Sequence, residues 1–78
     1  MKDGYYTYTA EGKFKRMWKV ENDVPVKVWI KGGNGYVGVG SGSHAGYPPP
    51  MSMEEFLDGK NMGKLEWVDD EEMFLEMI

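Results

Sequence analysis

The chain has 78 residues, no cysteine, one histidine and a formal net charge of −4, with three Trp, five Tyr, three Phe and seven Met. That length makes one domain, 1–78, small enough to need its large side chains for a core. The missing thiols exclude disulfide staples, thiolate metal sites and a cysteine nucleophile, and the acidic balance argues against sequence-independent binding to nucleic acid, which needs Lys and Arg at phosphates. No apolar stretch approaches the roughly 20 residues of a membrane span and no apolar leader opens the chain, so the expected location is cytoplasmic.

The first strand expected is in Gly4–Thr9, where Tyr-Tyr-Thr-Tyr-Thr, rich in β-formers, follows a glycine. Glu11-Gly12 closes a hairpin onto Phe14–Val20, which sets Tyr5 opposite Trp18 and Tyr6 opposite Met17. Glu21-Asn22-Asp23 is a turn. Val24, Val26, Val28 and Ile30 then alternate with Pro25, Lys27, Trp29 and Lys31, the two-residue period of a half-buried strand. Gly32-Gly33-Asn34-Gly35 turns the chain into Tyr36–Gly40, with Gly33-Asn34 or Asn34-Gly35 at the tip. Either register leaves Val26, Val28, Ile30, Val37 and Val39 on one buried face.

Ser41–Pro50 reads as loop, glycine-rich and then stiffened by Pro48-Pro49-Pro50. Ser52 and Glu55 have capping-box spacing, with Met51 and Phe56 as the hydrophobic staple, and Gly59 ends that helix as its C′ residue. Lys64–Val68 is a short strand. Asp69 caps a second helix through Glu72, with Val68 and Met73 as the staple and Met73, Phe74, Met77 and Ile78 at helical spacing. A helix of about nine residues is unstable alone and must dock. The expected fold is α+β: a small antiparallel sheet of four to five strands, one short helix and a C-terminal helix.

Chemistry-bearing patterns are sparse. Gly33-Asn34-Gly35-Tyr36-Val37-Gly38 spells G-x-G-x-x-G, but a dinucleotide site needs a helix to start there, and here a strand follows. Ser43 and His44 are neighbours in one loop with no orienting carboxylate, which is no triad. Glu54/Glu55 and Asp69–Glu72 lack EF-hand spacing and suit the first turns of helices. The sequence therefore predicts no enzyme, no cofactor and no metal.

Two surfaces remain as candidate sites. Residues 1–31 carry seven basic and four acidic side chains, a net of +3, whereas residues 32–78 carry two basic and nine acidic, a net of −7. Asp69, Asp70, Glu71, Glu72 and Glu76 are interleaved with Phe74 and other apolar residues, which suits a basic, partly apolar surface on a protein partner. Strand parity places Trp29 between Lys27 and Lys31, opposite the valines; with Tyr36 they form an aromatic–basic alternative face.

The run Val28-Trp29-Ile30-Lys31-Gly32-Gly33-Asn34-Gly35-Tyr36-Val37-Gly38-Val39-Gly40 resembles a hairpin of PUA-like domains of the EVE and ASCH branches. The resemblance covers thirteen of 78 residues, and Ser41-Gly42 departs from the acidic residue and valine that continue the strand in those relatives. It implies a truncated nucleic-acid or modified-base binding module with Trp29 and Tyr36 as contact residues. The reading from the residues themselves is a small acidic, non-enzymatic interaction protein. In style it resembles phage inhibitors that occupy a basic surface of a host protein or nucleic-acid-handling complex.

Overall fold

The structure is a computed structural model and describes residues 1–33, 35–38 and 50–77. The expected α+β fold is present: five antiparallel strands and two helices. The strands are β1 (Gly4–Tyr8), β2 (Arg16–Glu21), β3 (Val24–Gly32), β4 (Gly35–Gly38) and β5 (Glu66–Val68); the helices are α1 (Pro50–Asn61) and α2 (Asp70–Met77). In the sheet the order is β4-β3-β2-β1-β5, so β1 to β4 form a meander and β5 returns to the far edge beside β1.

The first hairpin is shifted by one residue from the expected register. Tyr6 pairs with Trp18, Thr7 with Met17 and Tyr5 with Lys19. Ala10 O accepts from Lys13 N–H at 3.0 Å, so Glu11-Gly12 is a turn, with Gly12 at φ 72°. The arm from Lys13 to Lys15 holds one residue more than a tight hairpin allows. Phe14 therefore precedes β2 and is 67% exposed. The shift places Tyr6, Tyr8, Trp18 and Val20 in one core, which a pairing of Tyr5 with Trp18 would have divided between the two sides.

The second hairpin turns at Asn22-Asp23, with φ of 52° and 65°, the two left-handed residues of a type I′ connection. Lys19 pairs with Lys27 but Val20 with Pro25, leaving Val26 as an extra residue in a bulge. Trp29↔Gly38, Ile30↔Val37 and Gly32↔Gly35 give one of the two registers expected for the third hairpin; Asn34 lies outside the described residues.

The five-residue buried face holds only in part. Val28 is fully buried and Lys27 exposed, as expected, and Val26 and Ile30 are half-buried. Val37 is 66% exposed, because β4 is the sheet edge and the core is centred two strands away on Trp18. Val39 lies outside the described residues.

The aromatic core lies between the sheet and α1, while Met17 and Thr7 are buried on the other side of the sheet. Trp18 and Phe56 meet edge to face at 5.6 Å and Tyr8 stacks on Trp18 at 6.5 Å, with Tyr6, Val20 and Val28 around them. Trp18 Nε1 is buried without a hydrogen-bond partner among the described residues, so the indole contributes there by area and ring contact.

The capping box is overturned. Pro50 opens α1, which puts Ser52 at the third helical residue, and Glu55 binds Arg16 on the sheet instead. The side chain of Met51 lies outside the described residues. Gly59 does not end the helix either. Lys64 N–H reaches Gly59 O at 2.8 Å and Gly63 N–H reaches Lys60 O at 3.1 Å, a Schellman pair with Gly63 at φ 68° as the C′ residue. Gly59 is glycine for another reason. A Cβ there would stand 2.8 Å from Tyr8 Cδ2 and 3.2 Å from Leu65 Cδ2. Gly59→Ala ordinarily favours a helix by about 0.5–1 kcal/mol, but overpacking against a core ring costs about 1–3 kcal/mol. The expected result is a net loss of stability, read as a lower urea midpoint with an unchanged m-value.

Candidate functional site

The strand register assigns every side chain on the sheet to one of two sides. Arg16, Trp18, Val20 and Val28 face α1. Lys31 N–H bonds Lys15 O at 2.9 Å, Lys19 pairs with Lys27, Met17 with Trp29 and Lys31 with Tyr36, which gathers Lys15, Lys19, Lys27 and Lys31 on the opposite side. Tyr5 and Thr7 join them from β1. The charge excess of residues 1–31 is thus concentrated on one side of the sheet.

The helix α2 lies on that same side. Asp69 caps it as expected, Oδ1 accepting from Glu72 N–H at 2.7 Å. Val68 is buried and Met73 half-buried, at the two positions expected for a staple. Asp70 lines an open cleft with Asp3, Gly4, Tyr5 and Lys19, and the helix contacts both β1 and β4. It therefore runs across the sheet. Near its C-terminal end Glu76 Oε1 accepts from Lys15 Nζ at 2.8 Å, and Oε2 accepts from the Tyr36 hydroxyl at 3.4 Å.

The two candidate surfaces are thus joined. Glu76, expected to meet a partner, is held inside the molecule by Lys15 and by Tyr36 of the alternative face. Asp69 is spent on the cap. Asp70, Glu71 and Glu72 are exposed and make no ion pair among the described residues. Phe74 and Leu75 are both 64% exposed, whereas Met73, Glu76 and Met77 turn inward and are half-buried. The expected docking stripe of Met73, Phe74, Met77 and Ile78 is corrected accordingly: Phe74 points away from the sheet, and Ile78 lies outside the described residues.

On the alternative face, Trp29 and Tyr36 are half-buried and Lys27 and Lys31 exposed. The indole covers Gly38, where a Cβ would be 3.6 Å away, and tilts against Tyr5 at 5.9 Å between centroids. Lys27 Nζ stands 5.1 Å from the Trp29 ring and Lys31 Nζ 5.7 Å from the Tyr36 ring. Trp67 belongs to neither surface. It is 41% exposed at the β5 edge, with Lys2 Nζ 3.5 Å over its ring and Nε1 donating to Asp3 O at 3.3 Å.

Burial, and next the Glu76 carboxylate, push the Tyr36 phenol up to about 12. A folded value raised above the unfolded one gives a contribution fully present below pH 10.0 and lost as pH rises through about 12. Ultraviolet titration of tyrosinate is expected to show this late group. In Glu76→Gln it moves down but stays above the ordinary value, because burial, the larger cause, remains.

Sequence reasoning missed Arg16 and Glu55, which pair at 2.8 Å between β2 and α1, and it missed Lys15. Alternation from Lys27 back through the hairpin partner would have found Lys15 and Lys19. Nothing local marks Glu55 as a sheet contact. Ser43, His44 and the loop 41–49 lie outside the described residues. Among the described residues no three His, Asp or Glu side chains converge as a metal ion requires, and no helix is long and apolar enough to cross a membrane. In comparisons with known proteins, no family model, no curated protein and no solved structure matches the chain.

Proposed function

We propose that this chain is a small acidic, non-enzymatic interaction protein of the cytoplasm that binds a basic surface of a host protein or nucleic-acid-handling complex, as a phage-type inhibitor does. The observation that supports this reading is the outward side of α2. Phe74 and Leu75 stand 64% exposed beside Asp70, Glu71 and Glu72, all exposed. Large apolar side chains left in water add nothing to the fold, and an adjacent apolar pair set among carboxylates suits a partner surface. The carboxylates speed encounter with a basic surface, and the apolar pair slows departure.

The test is an affinity capture from host lysate, with and without nuclease, followed by kinetics with the purified partner. Glu71→Lys with Glu72→Lys is expected to lower the association rate about tenfold at low salt and to flatten its salt dependence. Phe74→Ser is expected to raise the dissociation rate, with the circular dichroism spectrum unchanged in both. An association rate indifferent to the charge reversal overturns the reading. Recovery of nucleic acid that nuclease abolishes replaces it with the truncated PUA-like binder, acting through Trp29, Tyr36, Lys27 and Lys31.

A further inference from the structure

We infer that the lysine side of the sheet is an acceptor surface for an acidic amphipathic helix, filled here by the chain's own α2 and open to such a helix supplied in trans by a protein partner. This goes beyond the proposed function, which uses the opposite, outward side of α2.

Charge is the first argument. Lys19 stands directly opposite Lys27, and Lys31 opposite Lys15. Like charges across a strand pair destabilise a sheet, so a surface that stacks four lysines this way is relieved by an anion laid across it. The second argument is that the structure displays such an anion. An acidic helix lies there with Met73 and Met77 turned inward, and Glu76 bonded to Lys15 at 2.8 Å and Tyr36 at 3.4 Å.

The third argument is that α2 underfills the seat. Its eight residues span about 12 Å at 1.5 Å each, whereas five strands are about 19 Å across at roughly 4.8 Å spacing. No residue of α2 is buried. Only Lys15 receives a carboxylate from it; Lys19 pairs at 3.4 Å with its neighbour Glu21, and Lys27 and Lys31 meet no carboxylate among the described residues. A helix of about two turns is unstable alone and a half-exposed ion pair is weak, so α2 is displaceable by an occupant that keeps Met17, fully buried on this side of the sheet, covered. A longer acidic helix has Lys27 and Lys31 to gain. Bases of nucleic acid fit less well, because stacking needs a free ring face and the Trp29 ring is already laid on Gly38 and against Tyr5.

The probe is a fluorescein-labelled peptide carrying the Asp70–Met77 sequence twice in succession, titrated by anisotropy into the full chain at low salt. Saturable binding is expected, with the Trp29 and Tyr36 resonances shifting. Lys27→Glu with Lys31→Glu weakens it about tenfold or more. Glu76→Lys, which loosens α2 from Lys15, strengthens it about threefold or more; if that variant fails to fold, Glu76→Gln takes its place with the same expected direction. The inference is overturned by absence of saturation up to about millimolar peptide, by binding indifferent to the Lys27 and Lys31 reversals, or by an oligothymidylate strand that displaces the peptide at a lower concentration than the peptide itself needs. The Glu71, Glu72 and Phe74 variants lie off the sheet-facing stripe of Met73 and Met77, so either reading can fail while the other stands.

Discussion

Val28→Asp is expected to unfold the domain. Val28 is fully buried: it is 0% accessible, sits across from Trp18, and belongs to the cluster with Phe56. Losing a buried Val side chain costs about 1.5–3 kcal/mol. Placing a carboxylate in the same space adds several kcal/mol more, or forces the group to neutralise. Small domains have only about 5–15 kcal/mol to lose, and a 78-residue chain is at the low end. The expected readout is loss of near-ultraviolet dichroism and of a cooperative urea transition. Lys27→Asp, one residue away on the exposed side, is expected to keep both. A folded Val28→Asp chain would show that the core does not lie between α1 and the sheet.

The second large effect is expected at Arg16 and Glu55. Arg16 Nε donates to Glu55 Oε2 at 2.8 Å and Nη2 approaches Oε1 at 3.5 Å, with side-chain exposures of 11% and 16%. Arg16 Nη1 also donates to Phe14 O at 3.0 Å, tying down the arm of the first hairpin. Removing one partner of a pair this covered leaves the other charge unmatched, at about 3 kcal/mol. Removing both leaves no orphan. Arg16→Met and Glu55→Leu are therefore each expected to lower the urea midpoint strongly, while the double variant recovers most of the loss. Additive losses in the cycle would show that the pair is a solvated surface contact and that α1 is held by Phe56 alone.

Much of the architecture was legible because it rests on short-range rules. The alternation Val24–Lys31 fixes β3, the residues Asn22-Asp23 tolerate the left-handed turn, and Asp69 three residues before Glu72 fixes the start of α2. Where two local signals competed, tertiary packing chose. Ser52 has a capping-box partner in Glu55, but Arg16 offers that carboxylate a full charge across the sheet, and the helix starts at Pro50 instead. Gly59 reads as a helix end, but the helix ends at Gly63. The Tyr8 ring requires the first to be glycine for space, and the backbone requires the second for its positive φ.

The candidate sites divide in the same way. Composition and order along the chain determined that the chain is acidic at its C-terminal end, that its basic residues come early, and that no catalytic constellation is spelled out. These are sums over residues and need no fold. Only the tertiary structure decided where those charges meet. A one-residue shift in the first hairpin and a bulge at Val26 set which side each lysine occupies, and pairing register is a long-range property that a single strand does not carry. The five-strand order then brought the acidic helix onto the four lysines, which turned Glu76 inward and left Glu71, Glu72 and Phe74 exposed. Helical spacing alone offered Phe74 and Met77 equally to the sheet. The side that docks is chosen by the contact with Lys15 and Tyr36, 61 and 40 residues distant in sequence, and separations of that kind are visible only once the chain has folded.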